Sequence, residues 1–257
     1  MFCGALCLLP NFTRAENAPN PDQLLQEMSA KLAAARTFRL DAEREVDPAL
    51  LEHAKVPPKS RITIIAQRPN MLVAQSAGRG DVRHVYADGR QLSFYDKEKK
   101  YYATVPFHGS IDTLVEDLDH IYGFTPPLAE FTRSDVHADI RRKTQHVSYL
   151  GRGRYPSGFL GLNGIECHRL ALTGKGADAE LWIGVDDLLP HKLTATLKAH
   201  PERPQMKVDF LAWNLGTKVQ NQEFVFVPPK GAIKIPVKTT AEMLATGTKT
   251  KTKGKKS

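Results

Sequence analysis

The chain has 257 residues, 41% of them hydrophobic, a net charge of +8 and three cysteines. Eight lysines and one glutamate fall between residues 230 and 257, so the first 229 residues carry only about +1. A near-neutral body of this size can bury one sizeable core and lacks the basic face of a nucleic-acid binder. No apolar run reaches the ~18 residues that a membrane-spanning helix needs.

Taken in chain order, the apolar run Phe2–Leu9 precedes a polar stretch with Thr13 and Ala15 at the −3 and −1 positions of a cleavage site. Residues 1–15 therefore read as the remnant of a secretory signal, and the missing basic n-region implies a true start further upstream. Cleavage after Ala15 would leave Cys167 as the sole cysteine. No intramolecular disulfide is then possible, which suits a bacterial periplasmic protein held by its core.

Residues 22–36, DQLLQEMSAKLAAAR, put Leu24, Leu25, Met28, Leu32 and Ala35 on one helical face, with Asp22 as the expected N-cap. From Thr37 the period changes to two. FRLDAEREV sets Phe38, Leu40 and Ala42 against Arg39, Asp41, Glu43 and Glu45, and RITIIAQ repeats the alternation with Ile62, Ile64 and Ala66. MLVAQS, VRHVYA, QLSFY and KYYATVP follow at hairpin spacing, with Asp88-Gly89 as a turn, giving a meander of six strands.

A helical insertion at about 110–143 comes next. Ser110 is a cap, and Ile111, Leu114, Val115, Leu118, Ile121 and Tyr122 recur every three or four residues. LAEF suggests a second short helix, and Ser134 or Asp135 could cap a third. HVSYLGRGRY, IECHRLALTG, AELWIGVDD, HKLTATLKA and MKVDFLAW then alternate as strands, and FVFVPPKGA closes the fold. The expected class is α+β: a strongly curved antiparallel sheet, an open half-barrel of about eleven strands, covered on one face by helices. Residues 239–257 form a Lys-rich tail too polar to bury and therefore expected to be disordered. It could touch an anionic membrane surface, or serve only as a solubilising end.

Chemistry-bearing residues are scattered. Asp112, Glu116, Asp117 and Asp119 lie mainly opposite the apolar stripe of their helix, where they would share water rather than differ in pKa as an acid–base pair must. Cys167 and His168 are strand neighbours and point to opposite faces, so they cannot form a dyad. The nine histidines show no metal-binding spacing. GRGD at 78–81 and GRGR at 151–154 read as turns, not phosphate loops. These features predict a protein that is not an enzyme and takes no metal or cofactor. The strand aromatics, Phe94, Tyr101, Tyr102 and Trp182 among them, suit either an ordinary core or the wall of an apolar hollow.

The segment YYATVPFHGSIDTLVEDLDHIYGFTPPLAEF, with VYADGRQLSFYDKEKK upstream, resembles a family of predicted periplasmic proteins of unknown function (domain of unknown function 2092). ELWIGVDDLLPHKL, VDFLAWNLG and FVFVPPKGA resemble the wider lipoprotein-carrier superfamily with the LolA/LolB-like fold. The resemblance spans residues 22–236 as one domain. It implies an incomplete barrel whose apolar concave face holds a hydrophobic small molecule, a lipid or a lipoprotein acyl chain, and it implies no catalytic residue. On the inward strand phase, the cavity would be lined by Phe38, Leu40, Ile62, Ile64, Met71, Val73, Leu181, Ile183, Leu193, Leu197, Val208 and Phe210. Leu114, Leu118 and Ile121 would supply the lid. The alternative is a dry-cored structural or protein-interaction module of the cell envelope.

Overall fold

The first helix starts earlier than its apolar spacing suggests, because Asn20 supplies the cap. In the computed structural model, which describes residues 18–51, 57–123, 126–157, 163–237 and 239–242, Asn20 Oδ1 accepts from the backbone N–H of Asp22 at 2.9 Å. Pro21 then occupies the first turn, where a missing N–H costs nothing. Asp22 is not the cap; its carboxylate lies 3.0 Å from His137 Nε2 and 3.4 Å from Arg141 Nε. This helix, α1 (Pro21–Ala34), buries Leu24, Leu25, Met28 and Leu32. Residues 1–15 lie outside the described residues.

Six strands follow as an antiparallel meander: β1 (Thr37–Val46), β2 (Lys59–Gln67), β3 (Met71–Gly78), β4 (Asp81–Asp88), β5 (Gln91–Asp96) and β6 (Tyr101–Pro106). The insertion comprises α2 (Ile111–His120), a 3-10 turn at Ala129–Thr132, and α3 (Val136–Lys143). Ser110 Oγ caps α2 through the Thr113 N–H at 3.2 Å, and Asp135 caps α3 through the Ala138 N–H at 2.8 Å. The second half is again antiparallel: β7 (Thr144–Ser157), β8 (Asn163–Gly174), β9 (Ala177–Gly184), β10 (Pro190–Leu197) and β11 (Gln205–Leu215). GRGR at 151–154 is therefore not a turn. It lies inside β7, where Gly151 takes a positive φ of 100° beside a register shift.

The halves join because β11 returns to pair with β1, so the order runs β12-β6-β5-β4-β3-β2-β1-β11-β10-β9-β8-β7 in one open sheet. The twelfth strand, β12 (Ile233–Lys234), is two residues long and adds to the β6 edge in parallel. A flat sheet of twelve strands would be roughly 50 Å wide at about 4.8 Å per strand. One buried cluster nevertheless unites all three helices with residues from strands in both halves of the sheet. The sheet therefore curls around its helices, as expected for an open half-barrel.

Register fixes which side chains face those helices. Phe38, Leu40 and Ala42 oppose Ala66, Ile64 and Ile62, which in turn oppose Leu72, Ala74 and Ser76. The inner face continues through Ala87, Val85 and Arg83 on β4, Leu92 and Phe94 on β5, and Val105, Ala103 and Tyr101 on β6. The outer face of β3 to β6 has its own cover. A 3-10 turn at Asn221–Phe224 packs on β3 and β4 with Phe224 fully buried. Phe226 then places its ring 5.4–5.5 Å from the rings of Tyr86, Tyr95 and Tyr102. From there the chain rounds the sheet edge as β12 and reaches α2, where the Thr240 N–H donates to Ile121 O at 2.8 Å. Residues 239–242 are thus held against the insertion rather than belonging to a loose tail; residues 243–257 lie outside the described residues.

Candidate functional site

The middle of the inner face is filled. Phe38, Leu40, Ile62, Ile64, Leu181, Ile183, Val208 and Phe210 are all buried in the cluster under the helices, with Leu114 and Leu118 packed from α2. Phe131 from the insertion sits edge-on to Phe210 at 5.1 Å, and Trp213 stacks on Phe210 at 5.8 Å. These residues form a close-packed interior, and Leu193 packs against it partly buried. Four expected cavity or lid residues fall elsewhere. Met71 and Val73 point to the outer face, because β3 pairs Leu72 and Ala74 with the inward residues of β2. Leu197 is 37% exposed at the sheet rim, and Ile121, the C-cap of α2, is 38% exposed.

The acids of α2 hold the insertion together. The Arg133 side chain, only 13% exposed, reaches Glu116 Oε1 at 2.6 Å and Asp139 Oδ2 at 2.7 Å. The buried Asp139 also pairs with Arg142. Asp112 accepts from both the backbone N–H and the hydroxyl of Ser134 at 2.7 Å. A second arginine ties the layers: Arg68 donates to Ala35 O at 3.2 Å and to Arg133 O at 3.2 Å, linking the end of α1 to the insertion. Arg133 and Ser134 thus draw Asp112 and Glu116 out of the fully solvated role that helical phase suggests. Glu116 borders a polar cavity of about 360 Å³ that also meets Asp119, His120, Glu130 and Asp139, and within it Arg133 holds both the Glu116 and the Asp139 carboxylates.

The cover stops short at the β3–β6 end. There the inner face borders a cavity of about 300 Å³ lined by Val85, Phe94, Tyr101, Ala103 and Ile235, with Arg83, Asp96 and Lys99 around them and the outward-phase His84, Tyr95 and Tyr102 also at its boundary. A second cavity of about 160 Å³ lies against Arg44, Ile62, Ala74, Ser76, Asp81 and the Pro126-Pro127 pair of the insertion. The two share Arg83 and Val85 and so form one groove along the inner face. Its lining is mainly apolar, with Arg44, Asp81, Arg83 and Asp96 as its charged members besides Lys99. At the opposite end, a trough of about 670 Å³ between α3, β7 and β8 to β10 mixes Ile140, Leu172, Ala179 and Leu197 with Arg142, Lys143 and Lys175. That trough has an apolar floor with a basic rim.

Sequence reasoning missed most of the groove. Phe94, Tyr101 and Tyr102 stand out as strand aromatics, but nothing in the spacing says which end of the sheet stays uncovered. Arg44 left a readable signal: it is in phase with Phe38, Leu40 and Ala42, a charge on an otherwise apolar face.

Elsewhere the nucleophile candidates are quiet. Cys167 is fully buried, and burial, with Asp187 adding to it, pushes the thiol up to about 11. Its neighbour His168 points to the other face, 3.2 Å from the Tyr149 hydroxyl through Nδ1. His191 Nε2 lies 2.9 Å from Asp187 Oδ2. Among the described residues no group of three or more His, Cys, Asp or Glu side chains converges as a metal site.

A family described as "Predicted periplasmic protein (DUF2092)" matches residues 21–238. The chain belongs to this family. Its description agrees with the periplasmic location expected from the N-terminal residues. No functionally curated protein matches the sequence. Among solved structures, an uncharacterised conserved protein from Thermus thermophilus is 10% identical, over 83% of this chain and 96% of its own, with a TM-score of 0.47. MucB in the MucA/MucB complex of Pseudomonas aeruginosa is 14% identical, over 80% of this chain and 61% of its own, with a TM-score of 0.42. A LolA superfamily protein from Nitrosomonas europaea is 11% identical, over 81% and 99%, with a TM-score of 0.36.

Proposed function

We propose that the chain is a non-enzymatic periplasmic carrier or sensor that binds one hydrophobic molecule, a lipid or acyl chain, against the inner face of the sheet. The observation that carries this reading is the apolar groove between the β3–β6 inner face, the Pro126-Pro127 corner and Ile235. The site differs from the expected one: the ligand lies beside the helical insertion, not beneath it. Burying a 16-carbon chain offers on the order of 12 kcal/mol gross at about 0.8 kcal/mol per methylene, before ordering costs. Even half of that would retain a lipid in a groove of this size. Release needs Ile235 to lift from the edge of β6, where its N–H donates to Tyr102 O, and Thr240 to lift from the end of α2, where it donates to Ile121 O and His120 O.

Native mass spectrometry of protein purified from periplasm should find one lipid-sized adduct. Ala103→Trp, which fills the larger cavity from β6, should remove the adduct while the protein stays folded. Bare wild-type protein that also refuses added lipid would sink the reading.

The filled centre favours a second reading, a protein-interaction module of the envelope. Val225, Val227 and Ile233 on the C-terminal strap are exposed apolar residues that a partner could cover. In that case cross-linking would recover a partner through the strap, and the groove would stay empty of lipid.

A further inference from the structure

The smaller cavity contains a charge that the protein itself leaves unanswered. Arg44 Nε is shielded from solvent and has no hydrogen-bond partner among the described residues. No carboxylate of those residues pairs with the Arg44 guanidinium within salt-bridge distance, and the nearest influences on it are Asp81 and Arg83. Directly across the β1–β2 ladder, Ser60 faces the same side, and its Oγ is likewise buried without a partner. Buried donors left unmatched cost about 1–3 kcal/mol each, more when charged. Arg44 lines the smaller cavity with Ser60 buried behind it, and an unmatched charge at the end of a groove points to a group that arrives from outside.

We infer that the groove takes a single-chain anionic amphiphile, a long-chain fatty carboxylate, with its head at Arg44 and its tail running past Val85 toward Phe94 and Ala103. This deepens the reading of the groove as a hydrophobic-ligand site and rests on it. The guanidinium fork donates two parallel N–H···O bonds to a carboxylate. Asp81 does not cancel the attraction, because its Oδ1 is held by Arg83 Nε at 2.7 Å. Arg83 is thereby occupied by Asp81 and by Asp96 across the ladder, and Arg44 is the cation left at the head end without a salt bridge among the described residues. The head must be small: about 160 Å³ under Pro126-Pro127 admits a carboxylate but not a bulky lipid headgroup. The larger and more apolar cavity takes the chain.

Binding of palmitate and of hexadecanol, which share a tail and differ in the charge of the head, to delipidated full-length protein separates the possibilities. The wild type should prefer palmitate by roughly 10- to 100-fold, the scale of a charge-assisted hydrogen bond. Arg44→Met should bind hexadecanol as the wild type does and lose the preference for palmitate. Equal wild-type affinity for the two ligands overturns the inference and leaves the hydrophobic site standing; this arm needs no variant, so it holds even if Arg44→Met fails to fold. A preference that survives in folded Arg44→Met also overturns it. Failure of both ligands to bind overturns the inference and the hydrophobic site together.

Discussion

Phe210 and Phe94 are both large aromatics on the inner face of one sheet, and their surroundings differ completely. Phe210, on β11 near the middle, is sealed by Phe131 and Trp213. Phe94, on β5 toward the edge, meets Tyr122 at 5.5 Å and otherwise borders a cavity. The difference is one of reach. A helix of ten residues such as α2 is about 15 Å long, enough to cover about three strands at their usual spacing. With α1 and α3 the cover extends over the centre, but twelve strands are more than three short helices can close. The centre of the apolar face is therefore packed, while its β4–β6 rim around Arg83, Phe94 and Tyr101 borders a cavity.

Four perturbations break or sharpen that contrast. Phe210→Ala should be the most damaging, costing about 3–5 kcal/mol in urea unfolding because it empties a site that cannot collapse. Phe94→Ala should cost roughly 1–2 kcal/mol, since less of its surface leaves water, and should act chiefly on ligand retention. Equal losses would erase the distinction between centre and rim.

Next in size, Arg133→Ala should lower stability by about 2 kcal/mol, the scale of charged hydrogen bonds removed from a mostly buried group. It should also raise hydrogen exchange in α2 and α3 without affecting β7–β9. An unchanged exchange pattern would mean that Arg133 does not fasten the insertion.

The smallest effect is a pH dependence. His168 under the filled half and His84 at the open end both have pKa values lowered below 6.5, mainly by burial, with Arg152 and Lys97 respectively adding to it. The unfolded chain then binds protons that the folded protein refuses, so stability is full above about pH 6.5 and falls as the pH drops through that value toward the folded pKa values. The urea midpoint should be lower at pH 5.5 than at pH 7.5, with a shallower slope in His168→Gln. A flat profile would contradict it.

The alternation of β1 and β2 was legible because each has one wet face: Phe38 and Leu40 against Arg39 and Asp41, Ile62 and Ile64 against Arg61 and Thr63. The phase of β3 was not. Met71, Leu72, Val73 and Ala74 are apolar on both parities, since the inner pair meets the core and the outer face is covered by the turn carrying Phe224. Period two cannot choose a face when both are dry. The C-terminal strap was hidden for a related reason: FVFVPPKGA has the composition of a closing strand, yet its Phe226 is spent on three tyrosines of the outer face. The cap of α2 could be read from Ser110, because capping is local; at α3 Ser134 and Asp135 looked alike, and at α1 Asp22 stood in for the true cap Asn20. The position of the groove could not be read, because it depends on how far the helices reach across the sheet.

Photo-crosslinking with a diazirine-bearing fatty acid, followed by peptide mapping, tests the division most directly. Label should concentrate on the inner-face residues of β4 to β6, around Val85, Phe94 and Ala103, and should spare α1 and the strands beneath it. Label on the Leu24–Leu32 face of α1, or none anywhere on the protein, would contradict the account.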